Sequence, residues 1–155
     1  MTVVVTHSTS ADGTFSATGA AAWNANHVIT GLDGLSTAAI GYTISGGGAV
    51  ITTGVIGVGL RVPYACTINS ATLLADQTGS AVVDIWKDTY ANYPPTVADS
   101  ICASAKPTIT AGVKSEDTTL TGWTTSIAAG DVLYFNVDSC STITNLVLVL
   151  KVTKT

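Results

Sequence analysis

Residues 130–154, GDVLYFNVDSCSTITNLVLVLKVTK, hold the densest run of strand-forming residues in the chain. In the first part Leu133, Phe135 and Val137 fall on one side while Val132, Tyr134 and Asn136 fall on the other, the period of two of a half-buried strand. In the second part Leu146, Leu148, Leu150 and Val152 fill one face, and Val147 and Val149 make the opposite face apolar as well. The pattern predicts two strands joined by a short turn. A strand apolar on both faces is covered on both, either centrally in a two-layer sandwich or against another subunit. Val147 and Val149 are therefore candidate subunit-interface residues.

The composition agrees with an all-β reading. The chain has 155 residues, enough for one domain plus an appendage. Only 10% of residues are charged while 46% are hydrophobic, and Thr and Ser supply about a quarter. Polarity carried by hydroxyls rather than charges, with β-branched Thr prominent, favours strands over helices. Sparse charge also suits a subunit buried in an assembly. A net charge of −4 with scattered basic residues argues against nucleic acid as a partner. No apolar run is long enough for a membrane helix, and MTVVVTHSTS lacks the features of a signal peptide, so synthesis in a cytosol is expected.

From Ala49 onward, turn signals separate apolar runs at regular spacing, which predicts about eight short strands in a jelly-roll-like antiparallel β-sandwich. Val50–Val58 and Leu60–Tyr64 read as lead-in strands. Thr67–Asp76 and Ser80–Lys87 read as a hairpin turning at Gln77, Thr78 and Gly79. Asp88–Pro95, DTYANYPP, is the largest loop signal, and a single helical turn is expected at Val97–Ile101. Thr110–Asp117 reads as a polar connection. Residues 1–48 differ: they are rich in Gly, Ala, Ser and Thr and end at Gly46, Gly47 and Gly48, which read as a joint. At most one short helix is expected there, over Gly19–Asn26. Phe15, Trp23, Val28 and Ile29 are its candidate anchors, either on a partner or folded back on the sandwich.

The chemistry-bearing residues are few. His7 and His27 have no carboxylate or Cys at ligand spacing, and no GxSxG elbow is present. Cys66, Cys102 and Cys140 lack zinc spacing and read as buried thiols or as a disulfide formed after release. Asp84 and Asp88 read as solvated loop residues. Glu116 and Asp117, the only adjacent carboxylates, are a weak glycosidase signal. No metal or cofactor motif appears, and GGG and GVIGVG do not match a phosphate loop. Trp86, Tyr90 and Tyr93, with Trp123 as a further candidate, surround the Pro-rich loop and could stack on sugar rings or serve as packing.

Two stretches also carry a resemblance. SADGTFSATGAAAWNANHVITG (Ser10–Gly31) resembles a leader found on virion proteins of tailed bacteriophages. Leu60–Ile101, with GWTTSIAAGDVLYFNVDS (Gly122–Ser139) and TITNLVLVLKV (Thr142–Val152), resembles a β-sandwich domain of phage tail-fibre and other accessory virion proteins. The resemblance implies a non-enzymatic structural protein located in a virion: a fibre, spike or capsid decoration. It also implies a homotrimer docked to capsid or tail proteins, with a host surface glycan as a further partner if the domain lies at a fibre tip. It assigns no site residues.

Overall fold

The computed structural model describes residues 4–6, 28–30 and 36–155. The chain divides into two compact units, Met1–Thr37 and Ala38–Thr155. In the first unit β1 (Val4–Thr6) pairs antiparallel with β2 (Val28–Thr30), with Val5 opposite Ile29. Val28 and Ile29, expected beside a short helix, are thus strand residues, as their β-branched side chains favour. Phe15, Trp23, His7, His27 and the expected helix over Gly19–Asn26 lie outside the described residues.

The second unit is all-β: an antiparallel sheet of seven strands curled into a half-barrel. Its strands are β3 (Thr37–Ser45), β4 (Gly54–Arg61), β5 (Cys66–Asp88), β6 (Thr108–Asp117), β7 (Ser126–Ile127), β8 (Val132–Ser141) and β9 (Asn145–Lys154). The order is β3-β9-β5-β8-β4, with β6 and β7 also paired to β5. Ala71–Leu74 pair with β9 and β6 at once, and Ala81 and Val82 pair with β8 and β6 at once. A strand has two edges, so β6 lies along one edge of β5 while β9 and β8 share the other. The N-terminal half of β5 takes β9 and the C-terminal half takes β8.

One 23-residue strand therefore serves both layers, and it bends where a hairpin was expected. Gln77, Thr78 and Gly79 form a corner instead of a reversal because the β8–β9 turn packs against them. The Gln77 amide donates to the Thr142 carbonyl, and the Thr142 hydroxyl donates to the Thr78 carbonyl at 2.7 Å. Gly79 permits the approach: a Cβ there would lie 2.4 Å from the Ser141 carbonyl oxygen and 2.7 Å from Ile143. β8 and β9 stand where the sequence places them, but they separate after the turn and pair with successive halves of β5, not with each other.

Inward residues of the two layers meet in a single core. Ile40, Ile44, Leu73, Leu146, Leu148, Leu150 and Val152 come from one side, and Val83, Ile85, Leu133, Phe135 and Val137 from the other. Each fully buried aliphatic side chain contributes about 1.5–3 kcal/mol. Tyr42 of β3 stacks on Phe135 of β8, 4.2 Å between ring centroids, and donates to the Ile56 carbonyl of β4 at 3.0 Å. The two outermost strands are so linked through one side chain, and Gly57 leaves the space its hydroxyl needs.

Three further expectations differ. The run Gly46–Gly48 is a turn within the sheet, not a joint between units: Gly46 donates to the Thr144 carbonyl at 2.8 Å, and Gly47 and Gly48 take positive φ. β3 precedes it and belongs to the sheet. The two lead-in strands are one, β4, broken by a bulge between Ile56 and Leu60. Thr110–Asp117 is strand β6; only Ile109 of β6 is fully buried, so the apolar alternation that reveals a strand is missing.

Candidate functional site

The segment after β5 is fastened across the outer face of the β4-β8-β5 layer. Trp86, Val132 and Tyr134 form a small apolar cluster on that face. Single 3-10 turns follow at Tyr90–Asn92 and Val97–Asp99, the latter held by a capping box between Thr96 and Asp99. Tyr93 sets its ring edge against Tyr134, 5.7 Å between centroids. Its hydroxyl accepts from Tyr134 Oη at 2.8 Å and donates to the Val58 carbonyl at 3.1 Å.

The three aromatics named from the sequence are thus not one platform. Trp86 is 9% exposed, and its indole N–H donates to Asp84 at 3.0 Å, so its ring is committed to packing. Tyr93 is 46% exposed with its hydroxyl engaged. Tyr90 is 64% exposed, and the guanidinium carbon of Arg61 stands 4.7 Å from its ring centroid. Trp123 is buried in the main core and donates to the Ala105 carbonyl. Beside Arg61 a concavity of about 430 Å³ is lined by Arg61, Pro63, Ala129 and Gly130. Sequence reasoning missed Arg61; its signal was that it is the single arginine of the chain.

Asp84, expected in a solvated loop, is 1% exposed. It accepts from Ile85 N, Trp86 Nε1 and Ser100 Oγ, and Lys106 Nζ lies 2.9 Å away while also reaching Asp138 at 2.6 Å. Burial pushes the Asp84 carboxyl up, but hydrogen bonds from Ser100, Lys106 and Trp86 outweigh it and hold the group below its ordinary value. Asp138 and Asp84 in turn raise Lys106. Both charges are stabilised, so the cluster is a clamp on the loop and a poor source of nucleophile or proton acceptor. Beside it, burial pushes the Cys102 thiol up to about 12, which leaves it inert.

The remaining candidates are separated. Glu116 and Asp117 are neighbours on β6 and point to opposite faces; Asp117 accepts from Thr119 N and Leu120 N. Cys66, Cys102 and Cys140 are free thiols. Among the described residues no group of His, Cys, Asp or Glu is placed to hold a metal. Val147 and Val149 are half-buried on the outer face of β9, opposite Leu74 and Thr72 of β5. Leu74 is 47% exposed. Comparison with protein-family models, curated proteins and solved structures found no match.

Proposed function

We propose that the chain is a non-enzymatic bacteriophage virion structural protein, a fibre, spike or capsid decoration. Its β-sandwich self-associates, and its N-terminal unit docks to the particle. The observation that carries the reading is the outer face of β9, where Val147, Val149 and the cross-strand Leu74 present a contiguous aliphatic surface on a chain with little charge. A second copy is the occupant that such a surface suits. Three copies is the number the phage resemblance implies. The experiment is deletion of residues 1–36, which stops short of β3. The shortened chain should remain a folded oligomer and no longer join particles; undiminished incorporation overturns the attachment role.

A second reading, carbohydrate recognition, is favoured by one specific observation: the exposed Tyr90 ring held against Arg61 beside a concavity. Tyr90→Ala should lower host adsorption if the domain reads a surface glycan, and unchanged adsorption removes this reading.

A further inference from the structure

We propose that the concavity bounded by Arg61 and Gly130 binds the carboxylate of an acidic saccharide, a uronic or sialic acid unit, whose ring lies over Pro63 and Ala129. The proposal rests on the carbohydrate-recognition reading and assigns its ligand class. Arg61 ends β4 and is held from two sides, by Nε donating to the Gly130 carbonyl at 3.3 Å and by the Tyr90 ring. Such fixation orders a long side chain before any ligand arrives, which lowers the entropy cost of binding. A guanidinium has five N–H donors, and the Nε contact uses one. The remaining fork matches a carboxylate in bidentate geometry.

Among the described residues the charge has no counterion. Nearby Asp131 is occupied by Lys87 Nζ at 3.1 Å and by Ala128 N at 2.9 Å. Asp88 accepts from Thr89 N and Asn92 Nδ2. The three ion pairs among the described residues all use Lys87 or Lys106. The wall of the hollow thus carries an oriented cation that pairs with no carboxylate among the described residues and can take an anion from outside.

The lining decides between anions. A peptide adding to an edge needs a row of free backbone groups. Here Gly130 N is spent on the Val62 carbonyl at 2.7 Å and Val62 N on the Asp131 carbonyl at 2.8 Å. What the hollow offers is one cation and the apolar surfaces of Pro63 and Ala129. One positive charge balances one carboxylate, and the apolar faces of Pro63 and Ala129 suit the C–H surface of a pyranose.

The test is NMR titration of the isotope-labelled full chain with methyl glucuronoside, N-acetylneuraminic acid and, as the neutral control, methyl glucoside. The acidic sugars should shift the Arg61 side-chain N–H and the Gly130 amide, and the neutral one should bind at least about 10-fold more weakly, the value of one charge-assisted contact. Arg61→Gln should lose that preference. Ala129→Glu, at an exposed position of the lining, leaves Arg61 in place and supplies a competing carboxylate, so it should abolish acidic-sugar binding in a folded protein. Equal binding of acidic and neutral sugars overturns the acidic assignment and leaves carbohydrate recognition standing. No response to any of the sugars overturns both. Preferential shifts with inorganic phosphate or an oligoglutamate peptide overturn the saccharide assignment.

Discussion

Gly79 and Gly112 separate the steric role of a glycine from its mere presence. A Cβ at Gly79 would collide with the Ser141 backbone and Ile143, whereas at Gly112 nothing lies nearer than 3.6 Å, and neither residue has positive φ. Gly79→Ala is therefore expected to destabilise the domain by about 2–3 kcal/mol, as overpacking does, and Gly112→Ala by less than about 0.5 kcal/mol. Urea unfolding of both variants checks this; equal losses would show that the corner has room. At Lys106, replacement by Met leaves the buried Asp84 without its cation. Breaking a fully buried pair costs about 3–5 kcal/mol, and discounting for the partly exposed lysine leaves about 2 kcal/mol. Thermal unfolding of Lys106→Met measures it. The inward residues Leu146, Leu148, Leu150 and Val152 were legible in the sequence because burial imposes the period of two. Asp84 was not, because its burial depends on Ser100 and Lys106 arriving from the far end of a loop.

At the scale of elements, the corner of β5 is latched to the start of β9. Asp76 accepts from the Thr144 hydroxyl, from Thr144 N at 3.1 Å and from Asn145 Nδ2 at 3.3 Å. The Thr144 hydroxyl is the chief cause holding the Asp76 carboxyl down to about 2. A folded value below the unfolded one, about 3.9, means the latch stabilises fully above that value and is lost as pH falls toward 2. Asp76→Asn should flatten the corresponding part of the acid limb of melting temperature against pH; an unchanged acid limb would contradict the latch. Gln77-Thr78-Gly79 carries the chemistry of a reversal, and only the β8–β9 turn, more than 60 residues later, makes it a corner. β6 escaped notice because a strand lying along an outer edge needs little apolar patterning. The single turn near Val97 was legible because its capping box is local.

For the whole molecule, one bent strand explains how a chain with few charged residues closes a core from two layers and still leaves an aliphatic face outside. All-β character and the two closing strands were readable from composition and alternation. The pairing of those strands was not, since partner choice is settled by contacts distant in sequence. On the proposed function, the outer face of β9 joins copies of the chain. Val149 is half-buried on that face and Leu148 is fully buried on the other. Val149→Asp should therefore separate subunits that stay folded, while Leu148→Asp buries an unpaired charge and unfolds the domain. The deciding measurement is the solution mass by light scattering of the wild-type chain and Val149→Asp, with circular dichroism on each. A wild-type oligomer is expected, three times 15.7 kDa for a trimer, and a folded 15.7 kDa monomer for the variant. A monomeric wild type, or a Val149→Asp chain that keeps its oligomeric mass, would contradict it.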